Sequence, residues 1–135
     1  MKYENAVYPN REKLMELVNS KDTSPIVMVN LLKFRDIAEY KDGRDEKISG
    51  REAYMRYGAK MQPLVESRGG RFLVSAALKE VVIGEVEGLW DVVALMEYPS
   101  AAEFVAIASS PEVAEIGVDR EAGLAGQLLI LSNLR

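Results

Sequence analysis

Apolar residues change period along this chain, and each change marks an element. Residues 26–34 read Ile-Val-Met-Val-Asn-Leu-Leu-Lys-Phe, and Val92 to Met96 is likewise apolar at both alternating positions. That pattern belongs to strands covered on both faces. Each run is followed by Ser-x-x-Glu, at Ser49-Gly50-Arg51-Glu52 and at Ser100-Ala101-Ala102-Glu103. Such a capping box predicts a helix start in which each side chain satisfies an orphan amide of the first turn.

The remaining segments follow the same logic. Asn10 is placed to cap a first helix carrying Leu14, Leu17 and Val18 on one face and ending near Asn19. In the first strand Ile26, Met28, Asn30, Leu32 and Phe34 share one side, with Val27, Val29, Leu31 and Lys33 on the other. Residues 35–48 are charged, with Asp42-Gly43 as a turn signal, and predict a functional, mobile or hairpin excursion. The helix after Ser49 carries Tyr54, Tyr57, Met61, Leu64 and Val65 on one stripe, and Gly69-Gly70 stops it. Residues 71–78 and 80–86 predict a strand pair or one broken strand, and 90–98 the next strand. Ser110-Pro111-Glu112 restarts a helix, Gly123 and Gly126 loosen its end, and 127–132 is the last strand.

After the first helix the order is β-α-β-β-α-β, so the predicted class is α+β, a ferredoxin-like split βαβ unit with an extra N-terminal helix. Right-handed crossovers put both main helices on one face of the sheet. Strands 26–34 and 90–98, expected as a central parallel pair, are apolar on the other face too. A second copy, sheet against sheet, is the expected cover and makes the protein a homodimer. The alternative is a monomer whose first helix folds across that face. With 135 residues the chain forms one domain, residues 1–135, with its core at about 25–132.

Val29-Asn30-Leu31-Leu32-Lys33-Phe34, Gly69-Gly70-Arg71, Trp90-Asp91, Tyr98-Pro99-Ser100 with Phe104, and Pro111-Glu112 with Arg120 sharpen this reading. Together they resemble an uncharacterised bacterial domain-of-unknown-function family of the dimeric α+β barrel superfamily. The resemblance spans roughly residues 25 to 132, and Val113 departs from it where an aromatic is expected. It implies a homodimeric barrel and no particular activity, since fold does not choose among functions.

Composition narrows the chemistry. Cysteine and histidine are both absent, which removes disulfides, thiolate nucleophiles, the commonest general base and the commonest metal ligands. No metal and no cofactor are therefore expected. The net charge is -4 without a basic block, which disfavours nucleic acid. No apolar run reaches the ~20 residues of a membrane span, and residues 1–5 hold no apolar leader core, so a cytoplasmic location is expected.

Candidate site residues follow. Asn30 interrupts an apolar strand where its amide needs partners. It is expected to point into the space between two sheets, near Trp90 or Tyr98, as a ligand-orienting amide or a structural one. Trp90 and Tyr98, with Met96 and Met28, would wall a pocket there or form plain core. Asp91 and Glu97 on the other parity read as solvated, or as paired with Lys33 or Arg71, more readily than as bases. Tyr54 and Tyr57 could reach a pocket with a hydroxyl. Arg51, Arg56 and Arg120 could hold an anion by a bidentate fork, Arg120 before the others, but read more readily as ordinary surface arginines on helices. Three functions fit: a cofactor-free enzyme acting on a small organic substrate, a non-catalytic metabolite-binding module, and a dimeric interaction module.

Overall fold

The computed structural model describes residues 4–134. Its elements are α1 (Arg11–Val18), β1 (Ile26–Phe34), α2 (Gly50–Ser67), β2 (Arg71–Ala77), β3 (Val92–Tyr98), α3 (Ala101–Ala108), α4 (Pro111–Gly123) and β4 (Leu124–Ser132). The strands form one four-stranded sheet in the order β2-β3-β1-β4. This is the ferredoxin-like arrangement the element order predicts. The central pair β1 and β3 runs antiparallel, with Asn30 opposite Ala94, and so corrects the parallel pairing expected. The β2–β3 connection reverses the chain, and the inserted strand therefore opposes β1.

Four serine or asparagine caps start the helices. Asn10 accepts from the Lys13 amide, Ser49 from Glu52, Ser100 from Glu103 and Ser110 from Val113. The two Ser-x-x-Glu boxes form by half. Each serine accepts its amide, but the Glu103 carboxylate turns away to Arg68 at 2.8 Å, because a guanidinium offers it a charge-assisted bond.

The even-numbered side chains of β1 meet the helices. Ile26 and Met28 pack with Met61 and Val65 of α2 and with Phe104, Val105 and Ile107 of α3. Leu14 and Leu17 of α1 join that same cluster. The first helix therefore lies on the helical side beside α3, and the alternative in which it covers the open sheet face is corrected. That open face carries Val29 and Leu31 of β1, Val93 and Leu95 of β3, Val74 of β2 and Leu128 and Ile130 of β4. None of them belongs to the apolar clusters among the described residues, and Val74 and Ile130 are 54% and 45% exposed.

Three further expectations change. Residues 80–86 form no strand; 78–91 is a connection of bends whose Val82 and Ile83 stand exposed. Trp90 precedes β3 rather than opening it. The last strand starts three residues earlier than its apolar run, at Leu124. Gly123 also does more than loosen α4. A Cβ there would lie 2.4 Å from the Gly50 carbonyl, and one on Gly50 2.7 Å from the Gly123 carbonyl. The pair lets the start of α2 cross the end of α4 in backbone contact.

The charged segment 35–48 forms no strand hairpin, and its first six residues are tied to α4. The Arg35 amide donates to Gly123 and the Glu39 amide to Ala122. The Tyr40 hydroxyl donates to the buried Asp119 carboxylate, which Lys60 approaches at 3.6 Å. Burial and that carboxylate push the Tyr40 hydroxyl up to about 12.

Candidate functional site

Between the sheet and the helices lies a cavity of about 920 Å³. The inner face of the sheet supplies Met28, Asn30, Ala94, Met96, Tyr98, Gln127 and Leu129. Helix α2 contributes Tyr54 and Tyr57, and α4 contributes Arg120. This location corrects the expectation that Asn30 faces a space between two sheets. Asn30 has the even parity of Met28 and Leu32, so it turns toward the helices of its own subunit. Of the sequence candidates, Asn30, Tyr54, Tyr98 and Arg120 line this one cavity, together with Tyr57 and Arg51. Trp90 is not part of the lining.

The polar groups form a directed chain across the wall. Arginine offers only donors, so the Gln127 atom facing the Arg120 guanidinium at 2.5 Å is Oε1. Gln127 Nε2 is then the donor to Asn30 Oδ1 at 2.9 Å. Asn30 Nδ2 lies 3.3 Å from the Met28 carbonyl and 3.4 Å from the Ala94 carbonyl. A lone amide in an apolar strand is thus satisfied by a neighbour on β4 and by backbone.

Three tyrosines surround this chain. The rings of Tyr54 and Tyr57 lie 5.4 Å apart, and Tyr98 stands edge-on to Phe104 at 5.0 Å. Their hydroxyls bond to no other described residue. Burial raises the pKa of all three above the ordinary tyrosine value. Each of Tyr54 and Tyr57 also raises Tyr98, whereas Arg120 pulls Tyr54 and Tyr57 down. They remain protonated donors at neutral pH rather than bases.

A strap from the N-terminus borders the cavity. Asn5 Nδ2 donates to the Ala125 carbonyl at 2.9 Å, and its Oδ1 accepts from the Gln127 amide at 3.2 Å. Arg120 donates to the Val7 carbonyl and sits 5.3 Å from the centre of the Tyr8 ring. Tyr8 donates to Glu121 at 2.8 Å. Hydrogen bonds from Lys41 and Tyr8 hold Glu121 below the usual carboxylate range.

The other candidates have structural partners. Glu97 pairs with Arg71, and Asp91 accepts from the Phe34 amide at 2.7 Å. Arg56 pairs with Glu46 at 2.6 Å. Among the described residues no group of three acidic side chains is arranged to hold a metal, and no helix is long and apolar enough to cross a membrane. Gln127, Tyr8 and Glu121 were not singled out by sequence. Gln127 carried a usable signal, since its parity with Leu129 places it on the inner face.

Residues 44–134 match the family described as a domain of unknown function, DUF1330, and the chain belongs to that family. The match begins after β1 and takes in both main helices and the last three strands. A solved structure of methylated RPA0582 is 32% identical, with 97% of this chain and 96% of that one covered and a TM-score of 0.86. A second, of RPA0582 as a protein of unknown function from Rhodopseudomonas palustris, is 30% identical over 98% and 99% of the two chains, again with a TM-score of 0.86. An uncharacterised NIPSNAP-like domain protein from Burkholderia xenovorans shares the fold at 15% identity, 84% and 88% coverage and a TM-score of 0.52. A comparison with functionally curated proteins returned no match.

Proposed function

We propose that this protein binds a small organic molecule between the sheet and the helices of each subunit, without transforming it. The observation that carries this reading is the cavity of about 920 Å³, walled by apolar side chains around a few convergent polar groups. That is the usual character of a small-molecule site. Binding is favoured over a cofactor-free enzyme because the wall offers donors and no poised base. Its tyrosines are held protonated, and Glu121 is engaged by Lys41 and Tyr8.

The subunit is one half of a homodimer on this reading. The uncovered apolar face of the sheet supports it, now that the first helix is placed on the opposite side. The mass in solution at micromolar concentration tests it, and a monomer mass overturns it.

For the cavity, thermal shifts against a chemically diverse set of small organic molecules are the test. Ala94→Phe fills the cavity from the centre of the sheet, and Ala77→Leu from the edge strand as a milder variant. The wild type is expected to be stabilised by a subset of the compounds, and both variants are expected to fold and lose that response. Compounds that stabilise the filled variants as strongly as the wild type would refute the reading.

A further inference from the structure

We infer that the ligand of this cavity presents an oxyanion, as an organic carboxylate with an apolar body does, and that Arg120 is the residue that reads it. This rests on the proposed binding function and names its ligand class. The first support is the sense of the hydrogen bonds. Arg120 forces Gln127 to turn its oxygen outward to the guanidinium and its nitrogen to Asn30, and Asn30 then turns its own nitrogen to the Met28 and Ala94 carbonyls. Both amide oxygens already accept from protein donors. The relay therefore presents a ligand chiefly with the donor end at Arg120.

The second support is the charge. Arg120 spends one nitrogen on two neutral acceptors, the Val7 carbonyl and Gln127. The rest of its fork makes no ion pair with a described residue. Arg51, the other guanidinium on the lining, stacks on Phe34 at 5.0 Å and has no carboxylate partner among the described residues either. Glu121 is the one carboxylate among the described residues of the lining, and Lys41 pairs with it. A guanidinium that makes no ion pair among the described residues, beside an apolar chamber, is a site for an anion, and its planar fork matches a carboxylate.

The third support is the tyrosines. Tyr54 and Tyr57 from α2 and Tyr98 from β3 bring to the same cavity three hydroxyls with no partner among the described residues. Phenol hydroxyls donate well to an oxyanion. The apolar remainder of the lining, with Met28, Met96, Phe104 and Leu129, suits a hydrocarbon or aromatic body.

Calorimetric titration of the full chain with matched pairs tests the assignment: naphthoate with naphthamide, and decanoate with decanamide. Each carboxylate is expected to bind roughly tenfold or more tighter than its amide, as a charge-assisted contact in a low-dielectric site should. Arg120→Gln is expected to abolish that preference. Arg120→Lys, which keeps the charge and loses the fork, is expected to retain it at weaker affinity, and melting curves establish that both variants fold. Amides binding as tightly as carboxylates would overturn the oxyanion assignment and leave the binding function standing. A carboxylate preference that survives Arg120→Gln would overturn the role of Arg120. Failure of every pair, together with a negative result in the broad compound set, would overturn the binding function itself.

Discussion

The two faces of the sheet carry similar side chains and meet opposite surroundings. On the inner face Ile26, Met28 and Leu32 are 3%, 3% and 1% exposed, sealed by helices of the same chain. On the outer face Val29, Leu31, Val93 and Leu95 stay half-buried, and Ile130 is 45% exposed. The inner face also carries Asn30 and Gln127, which bond onward to Arg120 of α4, whereas the outer face of the central strands is apolar up to Lys33 and Glu97. One face thus lines a chamber closed by helices, and the other is an apolar surface left uncovered among the described residues. Hydrophobicity at a strand position therefore reports that something covers it, and not whether that cover is a helix or another chain.

The largest difference between the two faces is expected at Leu95, at the centre of the outer face. Leu95→Arg puts a charge where the proposed dimer would desolvate it, and complete conversion to monomer is expected by light scattering. An unchanged mass would remove the outer face from the interface.

Truncation separates the faces next. Leu32→Ala on the inner face should cost about 2–5 kcal/mol in denaturant unfolding, independent of protein concentration in a monomeric background. Ile130→Ala on the outer face should lower stability in a way that depends on concentration, because its cover is supplied by mass action. Equal, concentration-independent losses would argue that the outer face is covered from within the chain.

Alkaline titration probes the chamber. The folded pKa values of Tyr54, Tyr57 and Tyr98 are raised by burial above the ordinary 10.0. Above that pH the unfolded chain releases protons that the folded chain keeps, so stability is fully present below about pH 10 and is lost as pH rises further. Tyrosinate absorbance should appear for these residues together with unfolding. Ordinary titration in the folded protein would show that water screens the cavity wall.

The smallest effect expected is at the helix caps. Ser100→Ala should cost about 0.5–2 kcal/mol, through loss of the bond to the Glu103 amide at 3.1 Å. Glu103→Gln should cost less, since its carboxylate serves Arg68 on the surface.

Features that depend on near neighbours were legible in the chain alone. The caps at Asn10, Ser49, Ser100 and Ser110 were legible because a capping serine or asparagine acts on an amide three residues away. The exact span of β1 and its parity were legible because strand side chains alternate. Asn30, Tyr54, Tyr98 and Arg120 could be named from their chemistry, yet nothing local brought them together. That they line one cavity follows from the register setting Asn30 opposite Ala94 and Leu129, and from the close crossing of α2 and α4 at Gly50 and Gly123. The antiparallel sense of the central strands, the side taken by α1 and the exclusion of Trp90 from the lining were likewise decided by tertiary structure. Each depends on contacts between segments far apart in the chain, and periodicity carries no information about which distant segment will supply the other side of a contact.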